Sequence, residues 1–247
     1  MDVVLFNVAN HLVSYSWWTF FQALESAELS WLVASAALVA MWFAGKTNTQ
    51  SGYIQHLGKE SKDQTIIRGH ILLLSVAMSA SFVLARALQH FFPRQRPMAV
   101  TQMEIPIDPT EWHMIKKAIS AQGSFPSDHA VMWFVMATGI FWLNRPAGIF
   151  AALLGILLSV LRIGTGFHWA SDIAAGALLG ITMTVGAFWS LRTVKPLKSL
   201  VYFIVGLFER HPIIMNTLGF LILLDFSRKF AGLFGFLATV LGKSISH

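Results

Sequence analysis

The chain has 247 residues, 55% of them hydrophobic and 12% charged, with a formal net charge of +6 and no cysteine. Soluble domains carry about 25% charged residues, so the composition excludes an ordinary soluble domain. The missing cysteines exclude disulfides and thiolate metal sites. Several apolar runs approach the roughly 20 residues that cross a bilayer core, while segments of about ten residues with alternating polarity, the mark of a membrane β-barrel, are absent. The expected class is an all-α, polytopic membrane helix bundle forming one domain over 1–247.

Residues 1–21 lack a basic leading region and a small-residue cleavage site, so they read as an interfacial segment carrying Trp17 and Trp18 rather than a cleaved signal peptide. Transmembrane helices are expected at 29–44, 69–92, 130–143, 147–161 and 173–191. Residues 200–208 are apolar but short, and "ERHP" interrupts the pattern. One further span is expected at 213–235 within the tail 199–247, giving about six in all. If 45–68 is cytoplasmic, that side holds Lys46, Lys59, Lys62, Arg68, Arg145, Arg192, Lys195 and Lys198. The opposite side holds Arg94, Arg96, Lys116, Lys117 and Arg162, so the rule that positive loops stay inside places the latter loops outward. The basic residues are spread between spans in the manner of topogenic charges, which argues against a nucleic-acid partner.

Three polar groups sit at helix ends on that outward side: "FFPRQRP" closing the second span, "FPSDHA" opening the third, and "LRIGTGFHWASD" between the fourth and fifth. Because successive helices alternate in direction, these ends share one face and can converge. Arg96 and Arg162 offer bidentate, charge-assisted bonds to a phosphate, and Ser127 with the N–H groups of a helix start adds a neutral cradle. Two histidines complete the chemistry: a neutral imidazole attacks phosphorus and a protonated one serves the leaving oxygen. His168 and Asp172 lie four residues apart, so a helical turn puts them on one face and the carboxylate can hold the far N–H of the ring. His168 is thus the nucleophile candidate and His129 the acid. Taken singly, each residue has a plainer role: the arginines as headgroup anchors, Ser127, Asp128 and Asp172 as helix caps. Their joint placement argues for a site.

Arg96-Pro97, Pro126-Ser127-Asp128-His129 and the Arg162-x5-His168-x3-Asp172 series together resemble the type 2 phosphatidic acid phosphatase (PAP2) superfamily, whose signature reads K-x6-R-P, P-S-G-H and S-R-x5-H-x3-D. The resemblance covers a motif core of 86–175. It implies a PAP2-like helical core and a metal-independent phosphatase that needs no cofactor. Catalysis would run through a phosphohistidine on His168, with His129 protonating the leaving group and Asp172 orienting His168. Arg96, Ser127 and Arg162 would bind the phosphoryl oxygens.

Three departures from the signature stand out. Gln89 occupies the place of the lysine, with Arg86, Arg94 or His90 as substitutes for its charge; Leu161 replaces a serine; and Asp128 replaces glycine. The Pro-Ser-Asp-His form is similar to that of bacterial undecaprenyl-diphosphate phosphatases of the BcrC type. It implies hydrolysis of a polyprenyl diphosphate at the outer face of the inner membrane. Gln89 and Asp128 join the substrate-contacting candidates, with orientation of Arg96 or His129 as the other role open to Asp128, because a carboxylate beside a phosphate is unfavourable unless a cation offsets it. Other lipid phosphates as substrate, a phosphotransferase, or a non-catalytic lipid-phosphate binder remain open at this stage. Residues 98–122, with Glu104, Asp108, Glu111 and His113, read as a lid over the site.

Overall fold

A computed structural model describes residues 1–13, 27–44, 57–102 and 123–227. Every regular element among them is a helix: α1 (Asp2–Val13), α2 (Ala27–Ala44), α3 (Leu57–Phe91), α4 (Pro97–Val100), α5 (Asp128–Leu143), α6 (Arg145–Gly164), α7 (Ala170–Thr193), α8 (Lys195–Arg210) and α9 (Pro212–Ser227). Among the described residues, three helical stretches are long and apolar enough to cross a membrane: Gln64–Phe91, Arg145–Gly164 and Ala170–Thr193. Shorter apolar helices cover Asp2–Val13, Leu32–Phe43 and Asp128–Leu143. The membrane class is as the composition implies, and the interruption expected at "ERHP" is a bend between two helices. Lys195–Arg210 and Pro212–Leu224 are two helices bent by 117°, broken where His211 leaves helical geometry and Pro212 begins α9. The rest of the expected 213–235 span and the expected lid at 103–122 lie outside the described residues; 97–100 form the short α4.

The chain divides into two compact units, 1–26 with 76–189, and 27–75 with 190–247. In the second unit, the Trp42 and Phe208 rings meet at 4.7 Å, tilted by 58°, and the Arg68 guanidinium lies 5.4 Å over the Trp42 ring while pairing with Glu209 at 3.5 Å. Arg68 and Glu209 thus keep their charges matched beside an apolar contact.

The first unit holds all the polar groups of interest. Its centre is α5, buried from Asp128 through Trp133 and again at Val135 to Ala137. One face of α7 packs on it, because a buried stripe recurs every fourth residue: Asp172, Gly176, Gly180, Thr184 and Phe188. Two glycines in that stripe permit the close approach. A Cβ on Gly176 would fall 2.5 Å from the Ser127 carbonyl oxygen, and one on Gly180 2.5 Å from that of Val131. On α6, Gly155, Ser159 and Arg162 turn inward, whereas Ile149, Phe150, Leu153, Leu157 and Val160 are exposed. An apolar face left outside the protein is what a lipid-facing helix presents.

Replacing Gly180 by Val should therefore force α5 and α7 apart and cost about 1–3 kcal/mol, read as a lower thermal midpoint in detergent. Gly186, whose Cβ would meet nothing within 4 Å, is the control: Gly186→Ala should leave the midpoint unchanged or raise it. Equal melting of Gly180→Val and wild type would contradict the close packing.

Candidate active site

Each polar group begins with a local folding requirement. α6 ends at Gly164, and Gly166 turns the chain with φ of 75°, a value that favours glycine. The turn brings the N–H groups of Phe167 and His168 back to the Arg162 carbonyl at 3.1 and 3.3 Å. The five-residue gap between Arg162 and His168 is the length of this reversal, and it returns the histidine to the helix end bearing the arginine. α7 then opens with a capping interaction: Asp172, in its first turn, accepts the Trp169 N–H through Oδ2 at 2.8 Å. The other helix start is similar, since Ser127 caps α5 and its hydroxyl oxygen accepts the Ala130 N–H at 3.4 Å.

Long-range bonds join these pieces. The Ser127 N–H donates to the Asp172 carbonyl at 3.1 Å, the Ser124 N–H to the Arg94 carbonyl at 2.9 Å, and the Met98 N–H to the Gly166 carbonyl at 3.0 Å. The Arg96 side chain ties the same segments, donating to the carbonyls of Phe167 at 2.9 Å and Gly123 at 3.3 Å. The expected convergence thus occurs: Arg96, Ser127, Asp128, His129, Arg162, His168 and Asp172 are all buried in one unit.

His168 is fully buried, and its Nδ1 lies 2.8 Å from the Ser124 carbonyl oxygen. A carbonyl can only accept, so Nδ1 carries the proton and Nε2 carries the lone pair. Nε2 is buried and has no hydrogen-bond partner among the described residues. Burial first, then the charges of Arg162 and Arg96, hold this imidazole well below the usual histidine range, so it stays neutral. Arg96 is pushed down to about 10, by burial and then by Arg162. Two guanidiniums held this close together favour an anion between or beside them.

Asp172 departs from the orienting role expected of it. Its Oδ2 stands 3.9 Å from His168 Nδ1, beyond hydrogen-bond distance. The Ser124 carbonyl takes that bond instead, because the carboxylate is already spent on the Trp169 N–H and, through Oδ1, on Arg94 Nη1 at 2.7 Å. Asp128, by contrast, does bind a histidine: Oδ1 lies 2.9 Å from His129 Nδ1 and also accepts the His129 backbone N–H at 2.9 Å. An acceptor at Nδ1 directs Nε2 of His129 away from the carboxylate.

Gln89 is buried and used on both sides of its amide, accepting from Arg86 Nη1 at 3.0 Å and donating to the Pro126 carbonyl at 2.8 Å. Of the three candidates to replace a lysine charge, Arg86 is the one beside Gln89, with Nη1 4.0 Å from Asp128 Oδ2. Arg94 is committed to Asp172 and Asp2, and His90 is exposed with its ring 5.6 Å from that of Phe91.

Three participants escaped the sequence reading. The Ser124 carbonyl has no sequence signature, since any residue supplies one. Arg94 reads from the sequence as a substitute for the lysine charge and not as the partner of Asp172, and Asp2 lies 169 positions from Ser171, its hydrogen-bond partner.

Over 87 residues the chain is 33% identical to the bacitracin transport permease protein BcrC of Bacillus licheniformis, covering 35% of this chain and 41% of that one. It is 25% identical over 118 residues to the putative undecaprenyl-diphosphatase YbjG of Escherichia coli K12, covering 47% and 54%. Over 85 residues it is 26% identical to the lipid A 1-diphosphate synthase of the same organism, covering 34% and 35%. The chain thus spans about half or less of these relatives' lengths. No solved structure matches it. The PAP2 superfamily pattern matches residues 69–196, just over half of the chain and the whole of the site's motif core, and the protein belongs to the PAP2 superfamily.

Proposed function

We propose that this chain is a membrane phosphatase that removes the terminal phosphate of a polyprenyl diphosphate, undecaprenyl diphosphate in particular, through a phosphohistidine on His168. The observation carrying the reading is the state of His168: a buried, neutral ring whose proton is fixed at Nδ1, whose Nε2 has no partner among the described residues, and on which the charges of two buried arginines act. The Nε2 lone pair attacks the terminal phosphorus, and the bond from phosphorus to the bridging oxygen breaks. That oxygen leaves with the electron pair and takes a proton from His129, whose Nδ1 is braced by Asp128. Water then attacks the phosphorylated nitrogen's phosphorus, giving its proton to His129, and inorganic phosphate leaves with His168 restored. Arg96, Arg162 and the Ser127 hydroxyl stabilise the phosphoryl oxygens throughout, aided by the N-terminus of α5.

The substrate rests on chemistry and on names. Arg86 places a cation by Asp128 and His129, on the leaving-group side, which suits a leaving group that is itself a phosphate. The relatives' names include an undecaprenyl-diphosphatase. The same histidine could hand its phosphoryl group to a second lipid, and the relative named a lipid A 1-diphosphate synthase favours that as the second reading. We place the protein in the bacterial inner membrane with the site outward, on the loop charges given above.

Purified protein in detergent should release phosphate from undecaprenyl diphosphate faster than from phosphatidate, phosphatidylglycerophosphate or lipid A, in EDTA as well as without it. His168→Ala should lose at least about a thousandfold in kcat; an unchanged rate would refute the mechanism, and preference for another lipid would refute the substrate.

Because the His168 value is depressed, the neutral nucleophile survives acidification past the ordinary 6.5. The acid limb of kcat/KM, which reports the free enzyme, should lie below 6.5. Removing the Arg162 charge with Arg162→Gln should raise the histidine value and move the limb upward; a downward move would contradict the assignment.

A lysine at position 89 would lose the Pro126 bond and sit beside Arg86. Gln89→Lys alone should reduce kcat/KM, and Arg86→Gln in the same chain should recover part of it, by relieving like-charge repulsion. Higher activity for Gln89→Lys alone would show instead that the glutamine is a weakened lysine site.

A further inference from the structure

The helix α1 packs against the turn that carries His168. Phe6, Ala9, Asn10 and Val13 form its buried stripe, while Val3, Val4, Val8 and Leu12 are exposed. The stripe seats on the turn that carries His168. Asn10 Nδ2 donates to the Gly164 carbonyl at 2.8 Å, and a Cβ on Gly164 would lie 2.6 Å from Val13 and 2.7 Å from the Ala9 carbonyl. The Phe6 ring meets Trp169 edge-on at 6.1 Å. This seating delivers Asp2 to the start of α7, where Oδ1 accepts the Ser171 N–H at 3.1 Å and Oδ2 accepts the Ser171 hydroxyl at 2.6 Å. Oδ2 also accepts from Arg94 Nη2 at 2.8 Å. The other arm of the same guanidinium, Nη1, donates to Asp172 Oδ1 at 2.7 Å and to the Ser171 hydroxyl oxygen at 2.6 Å.

Arg94 is therefore shared between two carboxylates. Asp172 is fully buried and 3.9 Å from the Nδ1 side of His168, so its negative charge acts on the ring through a low-dielectric gap. How much of that charge the ring feels depends on how fully Arg94 neutralises it. With Asp2 holding one arm, the guanidinium divides its charge; without Asp2, it is left to Asp172 alone. We infer that Asp2 is a positioning residue for His168: by sharing Arg94 and fixing Ser171, it leaves Asp172 enough negative charge to support the positive ring that forms when Nε2 takes the phosphoryl group. The helix α1 is then a functional part of the site. This rests on His168 being the nucleophile.

The test compares wild type, Asp2→Asn, Asp2→Glu, Ser171→Ala and His168→Ala as full-length purified chains. Phosphate release is followed from undecaprenyl diphosphate and phosphatidate in detergent micelles, with thermal midpoints recorded for each. Asp2→Asn should lower kcat about tenfold or more with KM within about threefold, since the change touches the reacting ring and not the phosphate-binding arginines. Asp2→Glu should recover most of the loss. Folded Asp2→Asn with wild-type kcat, a loss carried by KM alone, or Asp2→Glu no better than Asp2→Asn would overturn the inference. If Asp2→Asn shows no cooperative melting, Ser171→Ala decides: a severalfold fall in kcat supports the role of the clamp, and an unchanged kcat overturns it. A His168→Ala chain as active as wild type, or a wild type that hydrolyses neither lipid, would defeat the nucleophile reading and the inference with it. An inactive His168→Ala beside fully active Asp2 variants would defeat the inference alone.

Discussion

The hydrogen bond from His168 Nδ1–H to the Ser124 carbonyl is the constraint on which the rest of the site depends. It decides the tautomer, and so which nitrogen bears the lone pair. For it to form, the chain must reverse at Gly166 so that His168 returns to the end of α6. The segment before α5 must also lie alongside, held by the Ser124 N–H on the Arg94 carbonyl and by Arg96 on the Gly123 carbonyl. Backbone groups, which substitution at those positions does not remove, thus do much of the orienting. The side chains are left for charge.

Charge is arranged in two pairings around that ring. Arg96 and Arg162 repel each other, and burial strengthens the repulsion, which favours an anion beside them. The buried carboxylates are each matched instead of left alone: Asp172 with Arg94, Asp128 with His129 and, farther off, Arg86. An unpaired buried carboxylate would be costly, so these partners let two acids be buried in the same unit. The exchange of lysine for Gln89 fits the same logic, because Arg86 on the preceding turn brings the positive charge while Gln89 itself braces Pro126.

Much of this was legible from residue types and spacing. Apolar runs located α2, α3, α5, α6 and α7, and the alternation of helix direction placed Arg96, His129, Arg162 and His168 together. Legibility failed where the determinant was tertiary. The capping alternative for Asp172 was visible, but nothing in a four-residue spacing tells whether the carboxylate reaches the ring or its own helix start. Asp2 was invisible because its partners are brought to it only by the packing of α1. In the tail, the interruption at "ERHP" was visible, but the 117° bend it makes between α8 and α9 has no signature in composition.

The proposed catalysis turns on one nitrogen atom, Nε2 of His168. Rapid quenching of the enzyme during turnover of terminally 32P-labelled undecaprenyl diphosphate, followed by peptide mapping and 31P or mass-spectrometric assignment of the phosphohistidine isomer, tests it directly. An acid-labile, alkali-stable phosphate on Nε2 of His168 is the predicted result. Label on Nδ1, on another residue, or on no residue at all while phosphate is released would contradict it.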